Sequence, residues 1–340
     1  MSMAEIVALS HKYGANPDFV LAGGGNTSFK DDEFLYIKGS GTTLAAITEE
    51  GFVKMNRAKL NAMFERAYSS DASKREEEVL ADMMAAREPS ELSKRPSVET
   101  LLHNIINYTY IVHTHPAMAN GLTCGKEGKQ IAAELWGDKV VWIDLVEPGF
   151  ILASTVKKAL DEYKAAKGRD ADILLLQNHG IFVAGNTPEE IDAKTKLLFE
   201  ALEKKCRIKP DFTETEFDKE RAAFIAPAIR MLLRDGGTSI VKFYTNKEVM
   251  AMVENKETFY PISSAYSPDH IVYCKPEALY VEAAEDMDSQ YDLLAAGIEA
   301  YKKEKGFAPK VIAVQGLGYF AWGANVKNAD ICGQVFMDAV

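Results

Sequence analysis

Apolar residues recur at helical spacing over residues 3–14, and the pattern then changes to alternation. Residues 19–41, "FVLAGGGNTSFKDDEFLYIKGSG", read as strand, glycine-rich turn, strand, turn, strand and glycine turn. Helices are predicted over 54–68 and 73–87, followed by a loop, "EPSELSKRP". Pro96 and Ser97 then open a helix with Glu99 and His103 on one face. "YTYIVHTH" is β-branched and aromatic and reads as a strand that Pro116 ends, and a helix starts there and runs through "AMANGLTC". "KVVWIDL" is a strand, 151–166 a helix, and "DILLLQNHGIFVAG" strand, turn and strand. The next helix, from Thr187, has a strong start, with Thr187 as N-cap, Pro188 at the first position and acids in the first turn.

"RIKPDFTETE", residues 207–216, marks a boundary and divides the chain into 1–206 and 207–340. The second part carries helices over 217–234 and 288–304, an apolar strand "KVIAVQ", and a closing segment "ADICGQVFMDAV" that reads as a helix still in progress. On that reading the parent chain continues into a further domain. No internal repeat and no low-complexity segment is legible. "VIAVQGLGYFAWG" imitates a dinucleotide fingerprint but lacks the second strand and its acidic residue, so it reads as a turn after a core strand.

The chain of 340 residues carries 39 basic and 50 acidic side chains, a formal charge of −11. That balance disfavours nucleic acid and offers no basic stripe to a membrane, while a local cation could still admit an anionic small substrate. Four scattered cysteines suggest neither a disulfide framework nor a thiolate zinc site, and they fit a reducing, cytoplasmic compartment. No signal peptide or membrane span is readable.

Of six histidines, two stand in "HTH". Strand alternation turns His113 and His115 to one face, where their rings can share an ion. His179, at a strand end before Gly180, offers a third ligand, and three histidines with an open fourth position is a catalytic zinc pattern. The same pair could equally hydrogen-bond backbone carbonyls. "AGGGNTS" (22–28) and "IKGSGTT" (37–43) can bring backbone N–H groups to an anion, with Lys38 and Ser40 adding donors and Ser97 a hydroxyl at a helix start. A tight hairpin would use the same glycines. Glu99 is the candidate acid/base, and His103 reads first as a satisfied helix histidine, with a partner role behind the site as the second reading.

"GGGNTS", "KGSG", "RPSVET", "HTHP" and "QNHG", in this order, resemble the class II aldolase/adducin family over roughly residues 1–205. Within it, "RPSVETLLH", "SPDHIVYCKP" and "VIAVQGLGYFAWG" are similar to the aldolase part of long bifunctional rhamnulose-1-phosphate aldolase/lactaldehyde dehydrogenases. The resemblance implies a three-layer α/β/α fold with a central, mainly antiparallel sheet, plus a smaller C-terminal α/β region. It implies His113, His115 and His179 as ligands of one Zn²⁺ per subunit, and Glu99 as the catalytic acid/base. It implies Asn26, Thr27, Ser40, Gly41 and Ser97 as the phosphate and substrate site, to which the loop reading adds Gly25 and Lys38, and a homo-oligomer. The reaction it implies is reversible cleavage of a ketose 1-phosphate, best L-rhamnulose 1-phosphate, to dihydroxyacetone phosphate and a hydroxyaldehyde such as L-lactaldehyde. Sugar-phosphate 4-epimerases, dehydratases and adducin-like scaffolds of the same family are the alternatives.

Overall fold

Side chains that alternate between faces along mostly buried strands divide the first unit's apolar residues into two sets, one for each face of a seven-stranded sheet. The computed structural model describes residues 2–234 and 236–340, so Met1 and Asp235, which fall within the two expected domains, lie outside the described residues. The chain forms two compact units, one ending at Cys206 and one beginning at Arg207.

In the first unit the order is α1 (Met3–Gly14), β1 (Asn26–Lys30), β2 (Phe34–Lys38), β3 (Phe52–Asn56), α2 (Arg57–Ala62), α3 (Ala72–Ala85), α4 (Thr100–Ile105), β4 (Tyr110–Thr114), α5 (Ala117–Thr123), α6 (Gly128–Trp136), β5 (Val141–Ile143), α7 (Phe150–Lys167), β6 (Ile173–Leu176), β7 (Gly180–Gly185) and α8 (Pro188–Lys205). The strands run β3-β2-β1-β4-β7-β6-β5, all neighbours antiparallel except β5 and β6. Ile111, Leu174, Leu176, Phe182 and Ala184 face one layer with Val79, Leu101, Leu102, Leu152 and Val156. Tyr110, Val112, Leu175, Ile181 and Val183 face the other, against Ile6, Leu9, Leu122, Ile191 and Leu198. Each such side chain contributes about 1.5–3 kcal/mol when fully buried. The expected α/β/α layering with a mainly antiparallel sheet is therefore what the chain adopts.

Two local readings are corrected. "FVLA" is not a strand, because the chain turns there and β1 begins only at Asn26. The helix expected over 54–68 is β3 followed by a short helix. Phe52 to Met55 pair with β2 and bury in the sheet, so cross-strand pairing overrides the helical spacing. The start of α8 is as expected, with the Thr187 hydroxyl accepting from Glu190 N.

The second unit contains α9 (Lys219–Leu232), β8 (Ile240–Tyr244), α10 (Lys247–Met252), α11 (Lys256–Phe259), α12 (Pro268–Cys274), β9 (Leu279–Val281), α13 (Met287–Lys305), β10 (Val311–Val314), β11 (Gly318–Gly323) and α14 (Val326–Met337). Its sheet is β8-β11-β10-β9, covered on one side by Ile225, Ile229, Leu294 and Ile298 of α9 and α13. Among the described residues no helix is long and apolar enough to cross a membrane.

Candidate functional site

His113 stands on β4 directly opposite Asn26 of β1 and Phe182 of β7. It is 0% exposed, and its ring stacks on Phe182 with centroids 4.0 Å apart. Its Nδ1 lies 2.9 Å from the carbonyl of Ile181. A carbonyl only accepts, so Nδ1 carries the proton, and the neutral ring turns the lone pair of Nε2 away from the strand. Burial lowers the pKa of His113, with the charge of Glu99 opposing in part, which favours that neutral ring.

His115 lies one residue past the strand, and its Nε2 is 2.9 Å from His113 Nε2. His179 sits in the turn between β6 and β7, where Asn178 adopts φ +56°. The turn presses so closely on β4 that a Cβ on Gly180 would lie 2.5 Å from Thr114 O and 2.6 Å from His115 Cδ2. Glycine is therefore required beside His179. The three ligand nitrogens lie within 4.8 Å of one another. Glu99 Oε1 is 3.2 Å from His113 Nε2 and 3.1 Å from His179 Nε2, and its side chain is 12% exposed. That oxygen is buried and makes no hydrogen bond. Burial, the largest single influence on Glu99, pushes its pKa up, and charge and hydrogen bonds from His113 and His179, when these rings also carry a proton on Nε2, lower it well below the usual carboxylate range. Lone pairs and an anionic oxygen that converge without protons repel one another, and a divalent cation among them turns repulsion into coordination. The donor set fits zinc: three imidazole nitrogens, that of His113 fixed from behind by Ile181 O, beside a carboxylate.

Behind the carboxylate runs a chain of hydrogen bonds. The Asn26 amide donates to Glu99 Oε2 and, at 3.2 Å, to Ser97 Oγ. Its carbonyl oxygen accepts from His103 Nε2, and His103 Nδ1 accepts from the Ser28 hydroxyl at 2.7 Å. Asn26 and Ser28 share a face of β1 because they are two residues apart. His103 is fully buried, and burial drives its pKa well down, with Glu99 opposing. Lys30, on the same face, donates to His103 O at 2.6 Å. Burial, aided by the nearby charge of Arg57, lowers the Lys30 pKa well below the ordinary lysine range. His103, read first in the sequence as a satisfied helix histidine, is satisfied by Ser28 and Asn26 of β1. Ser28 and Lys30 are not singled out there, although alternation from Asn26 would have found them. Glu99 does not lie inside a helix begun at Ser97. It is the residue before α4, with its carbonyl accepting from His103 N at 3.1 Å.

The expected phosphate residues divide into groups. Lys38 is buried at the end of β2, where burial lowers its pKa and the charge of Glu99 raises it. The strand end is laced to the segment before Glu99: Ser40 N bonds Arg95 O at 2.7 Å, Ser97 N bonds Lys38 O at 3.2 Å, and Ser40 Oγ donates to Pro96 O at 3.0 Å. Gly39 N is taken by Gly51 O at 2.8 Å. This corrects the expectation of a backbone nest, because these amides are already paired and the loop offers Lys38, the hydroxyls and the open Gly41, at φ +86°. Gly25, at φ +66°, lets the chain pass His113 O, which a Cβ would meet at 2.7 Å. Thr27 separates from the group: it points to the other face of β1 and its hydroxyl is bonded to Ser10 at 2.6 Å.

Residues 4–209 match the family described as Class II Aldolase and Adducin N-terminal domain. An uncharacterized oxidoreductase, YuxG, of Bacillus subtilis (strain 168) is 26% identical over 377 residues, which is 99% of this chain and 53% of the relative. The chain thus spans about half the length of that relative. A solved structure, the N-terminal class II aldolase domain of a conserved protein from Thermoplasma acidophilum, is 27% identical with a TM-score of 0.51, covering 61% of this chain and 94% of that one. With a match over residues 4–209, most of it the unit that holds the histidines and Glu99, the chain belongs to the class II aldolase and adducin family.

Proposed function

We propose that the first unit is a zinc-dependent aldolase that reversibly cleaves a ketose 1-phosphate to dihydroxyacetone phosphate and a hydroxyaldehyde. The observation that carries this reading is the meeting of His113, His115 and His179 with Glu99 Oε1 in a family of aldolases. Adducin-like scaffolding gives no reason for such a buried convergence.

In the cleavage direction the C4 hydroxyl loses its proton, the C3–C4 bond breaks, and negative charge develops on the enediolate oxygens. A zinc ion held by the three imidazoles supplies Lewis-acid stabilisation of that charge, a contribution of several kcal/mol. Glu99 moves the proton at the enediolate carbon. In the synthesis direction the carboxylate takes that proton and in cleavage the acid returns it, and Asn26 fixes Oε2 so that Oε1 faces the site. Lys38, Ser40, Gly41 and Ser97 take the phosphate, so binding at the remote end orients the reacting carbons. L-rhamnulose 1-phosphate, giving L-lactaldehyde, is the substrate favoured by the motif resemblance. A cytoplasmic homo-oligomer belongs to the same reading.

The test is synthesis. Purified protein with zinc, dihydroxyacetone phosphate and L-lactaldehyde is expected to form a ketose phosphate. If none forms with these or with other small hydroxyaldehydes, the aldolase reading fails.

A further inference from the structure

The second unit repeats, within itself, the half of the first sheet that carries the histidines. The strand orders β4-β7-β6-β5 and β8-β11-β10-β9 match, and so do the strand senses, antiparallel, antiparallel and parallel. The register matches residue by residue. Val141 pairs Leu174, and Leu279, which stands 138 positions after Val141, pairs Ile312, 138 after Leu174. Leu176 pairs Gly180, and Val314 pairs Gly318, at the same shift. On the edge strand Thr114 pairs Ile181, while Tyr244, 130 positions after Thr114, pairs Tyr319. The helices keep step: α7 and α13 end on Gly168 and Gly306, both left-handed, and α8 and α14 follow the N-caps Thr187 and Asn325.

The ties at the turn are the same too. Gln177 N bonds Ile143 O at 2.9 Å, and Gln315 N bonds Val281 O at 3.0 Å. Gln177 Oε1 accepts from Leu145 N at 3.0 Å, and Gln315 Oε1 from Ala283 N at 3.1 Å. The next residues, Asn178 and Gly316, have φ +56° and +62° and donate to Thr123 O and Val253 O. A Cβ on Gly180 or on Gly318 would lie 2.5 Å from the carbonyl of Thr114 or Tyr244 respectively. A generic hairpin requires none of these glutamine ties.

We infer that the second unit is a duplicated copy of the histidine-bearing half-sheet that has become silent toward metal. The register assigns the ligand positions: His113 corresponds to Phe243, His115 to Thr245 and His179 to Leu317. Phe243 packs against Phe217 and Phe320, with centroids 5.1 and 4.9 Å away, and Leu317 is buried in the same apolar core. Core packing thus occupies the place where the first unit gathers imidazoles. Among the described residues, the one cluster able to hold a metal is the first unit's.

The assignment of positions rests on register alone, and only its metal readout rests on the proposed function. The first experiment is a graft. In the full chain carrying His113→Ala, His115→Ala and His179→Ala, zinc content is expected to be nil, and adding Phe243→His, Thr245→His and Leu317→His is expected to restore about one zinc per chain. Zinc retained before the graft would overturn the silence of the second unit. A grafted chain with native circular dichroism that stays zinc-free beside a zinc-bearing wild type would overturn the correspondence. The second experiment needs no variant. An experimental structure of the wild-type chain is expected to superpose β9, β10 and β11 on β5, β6 and β7 at the shift of 138 positions. A different strand order or register would overturn the duplication. Wild-type zinc content separates the two ideas, since a zinc-free wild type counts against the first unit's site and leaves the superposition to decide the duplication.

Discussion

At the end of β4 the first unit places His113 and His115, and at the matching end of β8 the second places Phe243 and Thr245. Around both ends the supports are alike: a glutamine tie, a left-handed turn residue and a glycine pressed against the edge strand. Residues that hold the turn and residues that do chemistry are therefore separable. A turn of this geometry stands with imidazoles or with apolar side chains on it. The other groups around the histidines come from β1 and the segment before α4, which supply Asn26 and Glu99, and among the described residues the second unit's four-stranded sheet has no counterpart of β1.

The largest expected effect separates the two units by activity. Glu99→Ala should retain zinc and lose turnover by roughly 10²- to 10⁴-fold, the usual range for a general acid/base. Steady-state kinetics beside metal analysis reads this, and full activity would remove Glu99 from the mechanism. Next, Asn26→Ala frees Glu99 Oε2 and leaves His103 Nε2 without its acceptor. A fall of roughly 10- to 100-fold in kcat is expected, as for other groups that orient a site's residues. An unchanged kcat would show that the hydrogen-bond chain does not position the carboxylate.

A matched pair of variants sharpens the likeness. Gly180→Ala and Gly318→Ala each force a methyl group onto a carbonyl 2.5 Å away. Both should cost about 1–3 kcal/mol in denaturant unfolding, the range for overpacking. Only Gly180→Ala should also weaken zinc binding, since its methyl group meets the His115 ring. A harmless Gly318→Ala would mean that the second turn is not built like the first.

The smallest effect is in pH. Burial holds the His103 pKa well below the ordinary histidine value of about 6.5 in the folded chain, so the unfolded chain binds its proton more readily. Its contribution to stability is complete above about pH 6.5 and is lost as pH falls toward the folded pKa. Glu99, also lowered, keeps its contribution above the ordinary glutamate range and loses it only as pH falls below that. Melting temperatures of metal-free protein should decline on acidification below about pH 6.5, and less steeply in His103→Gln. The same slope in both would assign the titration elsewhere.

The three-histidine cluster is legible in the sequence because histidines are chemically unusual at such strand and strand-end positions. Alternation alone turned His113 and His115 to one side, and Gly180 flagged the close approach beside His179. Thr27 was misplaced because "GGGNTS" was read as a loop, whereas the strand starts at Asn26 and alternation sends Thr27 to Ser10. The amides of Gly39, Ser40 and Ser97 were expected to face an anion, but partners from Gly51, Arg95 and Lys38, distant in sequence or across a loop, take them. The repeat was illegible for a different reason. At the shift of 138 positions the identical residues are few and scattered, among them Tyr163 and Tyr301, Gly168 and Gly306, Gln177 and Gln315, Gly180 and Gly318, and Phe182 and Phe320. The core positions exchange leucine, isoleucine, valine and alanine freely, as buried strands permit.

The most direct measurement is the zinc content of the wild-type chain beside that of His113→Ala, both purified with zinc supplied and both checked for native circular dichroism. The account predicts about one zinc per chain in the wild type, as for a three-histidine site, and none in the variant. No zinc in the wild type, or the same zinc in both, would contradict it.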